Sequence, residues 1–457
     1  MDTLKIINEV KIEKLLHQGK NFKRAEIIEI INKGRRGKGL SLEEAAALLQ
    51  LEDLDLMEDL YHAAREVKNT IYGKRIVVFA PLYTSNHCIN NCLYCGFRVD
   101  NKHLHRKTLN IDEVVEEAKT IEEQGHKRIL MVCGEDPRYT TITHIVESLK
   151  AVYDHTDIRR INVNAAPMSV EDFRTLKGAG IGTYQIFQET YHRDTYRQMH
   201  PSGLKKDYDY RLLAINRAFE AGIDDLGIGV LLGLYDYRFD VLATLMHAQY
   251  MDETLNVGPH TVSVPRLRPA IDAAIKETPY EVTDENFKKI IAVYRLTLPY
   301  TGIILSTREP SKLRDELFDL GVSQASAGSK TNPGGYHNED HDAEQFETSD
   351  ERSLKEVLKV ICNQGHLPSF CTACYRAKRT GEVFMGLAKE AEIHEFCQSN
   401  AILTLKEHLL DFGDEELKEI GDQLIEKSLE EIENENIKEL TKEKLKETEK
   451  GKRDLFF

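Results

Sequence analysis

The run IVVFAPLY, Ile76–Tyr83, is apolar or aromatic at every position, with three β-branched residues at its start. No polar residue alternates through it, which is the pattern of a strand buried on both faces. Seven further runs share this texture: RILMVCGE (128–135), RINVNAA (160–166), TYQIFQE (183–189), DLGIGVLL (225–232), TVSVPRL (261–267), GIILSTRE (302–309) and VSQASAGS (322–329). Charged amphipathic segments lie between them, for example IDEVVEEAKTIEEQG, YDYRLLAINRAFEAG and DENFKKIIAVYRLTL. Buried strands alternating with such helices predict a parallel sheet covered on both faces. Eight units in roughly 250 residues fit the size of a (β/α)8 barrel, with an open doubly wound sheet as the alternative.

Residues 1–73 read as an N-terminal helical extension, 74–335 as the barrel and 336–457 as a C-terminal helical domain. Ser41 in SLEEAAALL has Glu44 three residues on, a capping box before an apolar run. A polar loop, KTNPGGYHNEDHDAEQF, follows Ser329. The last residues, rich in Glu and Lys, predict either a solvated helix pair or a frayed tail.

A formal charge of −15 over 457 residues argues against a dedicated nucleic-acid binder, which would usually present a basic face. No run of about 18 apolar residues predicts a membrane span. The N-terminus, MDTLKIINEVKIEKLL, has no apolar signal region, so the expected location is the cytoplasm. Eight cysteines are too few for a disulfide framework in so long a chain. Six of them form two clusters, which in a reducing compartment points to metal or cluster ligation.

The first cluster is CINNCLYC, with Cys88, Cys92 and Cys95 just after the first strand, on the face where barrel enzymes do chemistry. His87 or a distant residue could complete a structural zinc site. Alternatively the three thiolates hold an iron–sulfur cube with one iron open to a ligand. C-x3-C-x2-C with Tyr94 before the last cysteine resembles the signature of the radical S-adenosylmethionine superfamily. That resemblance implies a [4Fe–4S] cluster whose open iron is chelated by the amine and carboxylate of S-adenosylmethionine. Reductive cleavage of the cofactor then yields a 5′-deoxyadenosyl radical. By the same resemblance Gly134 and Glu135 in CGE match an element that receives the cofactor ammonium. Glu189 in FQET would bind its ribose, Arg211 in DYRLL its carboxylate, and Val230 and Leu231 in GIGVLLG its adenine.

Ser306 and Arg308 end the seventh run, and Arg266 and Arg268 the sixth. Each arginine could equally pair with a neighbouring loop. STRE resembles the aromatic-amino-acid lyase branch of the superfamily, in which the arginine clamps the substrate carboxylate. This implies that Arg308 holds that group with Tyr83 and Ser306, and that Ser326 and Ser329 face the same pocket.

The second cluster, SFCTACYRAKRTGEVFMGLAKEAEIHEFC, carries Cys371, Cys374 and Cys397 in C-x2-C-x22-C spacing. Spacing alone favours a Cys3His zinc site completed by His394. CTACYR, RTG, the last cysteine and GPHTVSVPR nevertheless resemble the HydG family, over nearly the whole chain to GKRDLFF. Thiazole-pathway tyrosine lyases share STRE but lack the C-terminal trio.

The family resemblance implies that L-tyrosine loses hydrogen from its amino group and breaks at Cα–Cβ, giving p-cresol and dehydroglycine. Dehydroglycine then becomes carbon monoxide and cyanide at an auxiliary [4Fe–4S] cluster on Cys371, Cys374 and Cys397. An additional labile iron is implied there, with His260 and a small thiol amino acid such as cysteine. The product would be an iron–carbonyl–cyanide synthon for the [FeFe]-hydrogenase H-cluster. Implied partners are other hydrogenase maturation proteins and an electron donor such as flavodoxin or ferredoxin. The competing readings are a thiazole-type tyrosine lyase and a zinc-stabilised barrel for binding or assembly. Cys133 and Cys362, left over, are assigned to packing, since free cysteine is a frequently buried residue type.

Overall fold

The computed structural model describes residues 3–337, 343–389 and 393–457. Part of the polar loop, 338–342, lies outside them. All eight apolar runs form strands: β1 Arg75–Ser85, β2 Arg128–Cys133, β3 Arg160–Asn164, β4 Tyr184–Gln185, β5 Leu226–Gly229, β6 Thr261–Ser263, β7 Gly302–Leu305 and β8 Gln324–Ser326. They pair in parallel in chain order, and β1 bonds both β8 and β2, which closes the barrel. An open sheet is thereby excluded.

A ninth strand, β9 Leu367–Ser369, is absent from the sequence reading. It pairs in parallel with Arg75–Val77 of β1, below Ala80, where β2 begins to pair. The segment 336–457 is therefore not purely helical. Three residues centred on a proline carry too little pattern to be read as a strand.

The N-terminal helices cap one side of the barrel. Leu54–Tyr72 is started by Asp53, whose carboxylate accepts from Leu56 N at 3.2 Å. Leu56, Leu60, Ala63, Ala64, Val67 and Ile71 share one buried face, packed on the helix Asp284–Thr297. Each buried leucine there contributes roughly 1.5–3 kcal/mol, so Leu60→Asp would break the contact. The Ser41–Glu44 capping box forms as read.

The C-terminal residues are ordered. Helices Glu415–Glu430 and Glu435–Glu449 flank the long helix Ile393–Phe412, which packs on β9. Of the two readings of this end, the helix pair is the one observed.

Candidate functional site

β1 runs directly into the first cysteine loop. Cys88, Cys92 and Cys95 line a cavity of about 190 Å³ at the C-terminal ends of the strands. Ile89 N donates to Glu135 O at 3.1 Å, Leu93 N to Met199 O at 3.0 Å and Gly134 N to Ser85 O at 2.8 Å. A Cβ on Gly134 would stand 2.3 Å from the His87 carbonyl oxygen. Only glycine lets the end of β2 pack so closely on the loop. Burial pushes the Cys88 thiol up to about 11 and raises those of Cys92 and Cys95 as well. A bound cation reverses that preference, because a coordinated thiol is deprotonated.

Four buried charges form a network beside the trio. Arg211 Nη1 donates to Glu135 Oε1 at 2.9 Å and its Nε to the Phe187 carbonyl at 2.7 Å. Its Nη2 lies 3.8 Å from Glu189, which also pairs with Lys205. Burial opposes ionisation of Glu135 and Glu189, but Arg211 and Lys205 outweigh it and hold both carboxyls below their ordinary range. Asn90 Nδ2 adds a bond to Glu135 Oε2 at 2.7 Å, tying the network to the cysteine loop. Glu189 has a φ of 69°, a conformation costing on the order of 1 kcal/mol for a residue with a side chain. Leu231 lines the cavity, whereas Val230 is fully buried in the barrel core and bridges Glu189 through its backbone. Tyr94 lines it too, with its hydroxyl 2.8 Å from His200 Nε2.

Tyr83, Ser306, Arg308, Ser326 and Ser329 line the same cavity, and Tyr83 packs beside Cys88 and Cys95. Tyr83 donates to Gln345 Oε1 at 2.8 Å. The Arg308 guanidinium stacks 3.3 Å from the centroid of the Phe346 ring. Among the described residues it makes no ion pair, and burial lowers its pKa. The neighbouring arginines differ. Arg266 bonds Glu309 at 2.8 Å and Asp284 at 2.8 Å, and Arg268 bonds Glu309 at 3.0 Å. Those two are salt-bridged away from the cavity.

Cys371, Cys374 and Cys397 line a second, smaller cavity of about 40 Å³, with His260, Arg75, Arg128, Gln324, Tyr375 and Phe384. Arg75, Arg128, His260 and Gln324 stand at or just before the starts of β1, β2, β6 and β8, so this cavity opens at the opposite end of the same barrel. His260 Nδ1 is 3.7 Å from Asp225, and its ring is 4.5 Å from that of Phe384. Arg75 forms no ion pair among the described residues, and the three thiols raise its pKa against the effect of burial. His394, the fourth ligand of the zinc alternative, does not line this cavity. Its Nε2 packs where a Cβ on Gly73 would be 2.8 Å away.

Several site residues escaped the sequence reading. Lys205, Asn90, Gln345 and Phe346 line the first cavity, as does Cys133, which corrects its assignment to packing alone. Cys362 is 4% exposed within the core. Gln345 and Phe346 lie beyond the barrel boundary read at 335, yet fold back over its mouth. Only the buried contacts of that polar loop reveal them. For Lys205 the basic pair LKK was the sole signal.

A profile of the Radical SAM superfamily matches residues 82–247, and one of the Biotin and Thiamin Synthesis associated domain matches 263–367. A crystal structure of HydG, a maturase of the [FeFe]-hydrogenase, is 52% identical with a TM-score of 0.96, covering 99% of this chain and 100% of that one. The HydG structure from Carboxydothermus hydrogenoformans is 44% identical, with a TM-score of 0.87 over 97% of this chain and 99% of its own. The 2-iminoacetate synthase of Salmonella typhimurium is 33% identical over 72% of this chain and 86% of its own length. Barrel, cysteine loop and these relatives agree: the chain belongs to the HydG family of radical S-adenosylmethionine enzymes.

Proposed function

We propose that this protein cleaves the Cα–Cβ bond of L-tyrosine to p-cresol and dehydroglycine, and converts the latter to carbon monoxide and cyanide for [FeFe]-hydrogenase H-cluster assembly. The observation that carries the reading is Arg308. It is a partly buried guanidinium that makes no ion pair among the described residues and lines the same cavity as the first thiol trio. Leaving such a charge unpaired is costly, and a substrate carboxylate would neutralise it.

The donor set fits the groups the family requires. Cys88, Cys92 and Cys95 would hold the [4Fe–4S] cluster beside S-adenosylmethionine, and Cys371, Cys374 and Cys397 an auxiliary one. In a cube each of three thiolates meets a separate iron, and the match to the Radical SAM profile and to HydG supports iron–sulfur over zinc. When bound, the reduced cluster and cofactor supply the adenosyl radical.

The chain's own residues do the rest. Glu135 and Arg211, paired with each other, present the two charges that an ammonium and a carboxylate on one ligand would match by opening the pair. Glu189 and Lys205 add hydrogen-bonding capacity for hydroxyls. Arg308, Tyr83 and Ser306 would orient tyrosine, with Ser326 and Ser329 lining the pocket beside it, and Phe346 and Gln345 exclude water from its side. The Salmonella relative is a 2-iminoacetate synthase, which fits a first half-reaction that leaves dehydroglycine. The second trio and the near-complete match to HydG favour the two-site reaction over a thiazole-type lyase. At that trio we place His260, a labile iron and a small thiol such as cysteine. A flavodoxin or ferredoxin as electron donor and other maturation proteins are the partners this chemistry needs.

Anaerobic incubation of the reconstituted protein with S-adenosylmethionine, reductant and L-tyrosine tests the reading. Repeated turnover to p-cresol is expected. Cofactor cleavage without p-cresol, in protein carrying both clusters, would overturn it.

A further inference from the structure

The second thiol trio is assembled from two distant segments. Cys371 follows β9, Cys374 sits in the short helix Ala373–Arg376 next to it, and Cys397 is on the helix Ile393–Phe412. The last residues of the sequence connect the two. Arg453 binds Asp411 through Nε at 2.8 Å and Nη2 at 2.6 Å. Asp454 N donates to Glu407 Oε2 at 2.8 Å, and Phe457 N to Asn400 Oδ1 at 2.9 Å. Asp411, Glu407 and Asn400 descend the helix toward Cys397, so this tail runs along it and ends one turn from that cysteine.

The other side of the tail holds the cysteine loop. Asp454 pairs with Arg376, whose guanidinium lies 4.2 Å from the Phe456 ring centroid. The main-chain oxygen of Phe457 accepts from Arg379, and Arg379 N donates to the Cys374 carbonyl at 2.7 Å. Arg159, just before β3, reaches Asp454 at 3.1 Å and ties the assembly to the barrel. Lys444 donates to the Phe456 carbonyl at 3.0 Å.

We propose that residues 453–457 are a positioning element of the second site, a staple that keeps the Cys371–Cys374 loop in register with Cys397. The inference rests on reading that trio as cluster ligands. Three thiolates on two segments must stay within bonding reach of one cube. Phe370 N, donating to Thr404 Oγ1 at 3.2 Å, ties β9 to the helix before Cys371, and the tail supplies the ties that follow Cys374. The ion pairs of the staple are partly exposed, so each is individually weak and screened by salt. Its effect comes from acting at several points at once.

The test compares full-length protein with a variant lacking residues 454–457, both reconstituted anaerobically and exposed to a ferrous-iron chelator. The variant should lose second-cluster iron about tenfold faster, as when an outer partner of a metal site is removed. First-cluster iron and the rate of p-cresol formation should be unchanged, which also reports an intact fold. Asp454→Ala should behave like the deletion in direction, and Asp454→Glu should restore retention. Equal loss from both clusters, or wild-type retention in the variant, would overturn the inference while leaving the function in place. A wild-type protein that binds only four irons would overturn the cluster reading and this inference with it.

Discussion

Cys88, Cys92 and Cys95 come from one short loop, whereas Cys371, Cys374 and Cys397 come from two segments joined by a third. The first loop is fixed by backbone bonds to strand ends and by a glycine whose Cβ would collide with it. Around it the charges are paired, Glu135 with Arg211 and Glu189 with Lys205, whereas Arg308 makes no ion pair among the described residues and stacks on Phe346. At the second site Arg75 and Arg128 make no ion pair among the described residues, and the thiols are their neighbours. The contrast teaches where each site's selectivity comes from. The first cavity sets paired charges of both signs beside its thiols. The second sets arginines beside its thiols.

The contrast can be broken by mutation. Cys92→Ala should have the largest effect. It is expected to abolish p-cresol, by more than the 10–100-fold typical of outer partners of a metal site, and to leave about half the iron bound. Assays of p-cresol and iron check this; full turnover would remove the first trio from the chemistry.

Arg308→Ala should raise the KM for tyrosine by about 100-fold, corresponding to the loss of one desolvated charge pair. Binding of S-adenosylmethionine should hold, as measured by titration. Equal weakening of both ligands would make Arg308 a structural residue.

Gly134→Ala sharpens the comparison by acting on one loop only. The intruding methyl should cost about 1–3 kcal/mol of strain at the first site. Iron analysis should then show depletion there, with the second cluster retained. Arg266→Ala should have the smallest effect. Its partners are Glu309 and Asp284, so stability should fall by about 1 kcal/mol by thermal unfolding, with the KM for tyrosine unchanged.

Much of this was legible because it is local. Eight apolar runs mark eight strands, and a barrel forces their C-terminal ends to converge, so Glu135, Glu189 and Arg308 meet although they are far apart in sequence. Ser41 and Glu44 sit three residues apart and cap as read. What the sequence hid is pairing between remote segments. Nothing in Arg266 and Arg308 as residues says that one meets Glu309 and the other an aromatic ring. Likewise His394 lies three residues before Cys397, ideal spacing for a ligand, yet its ring packs at Gly73. The contacts of Phe456 and Phe457 run to three other segments and leave no local pattern.

The most direct measurement uses Cys371→Ala combined with Cys374→Ala, assayed anaerobically for p-cresol and carbon monoxide together. The account predicts p-cresol at close to the wild-type rate and no carbon monoxide, with roughly four irons per chain remaining. Undiminished carbon monoxide from that variant would contradict the division of labour between the two ends of the barrel.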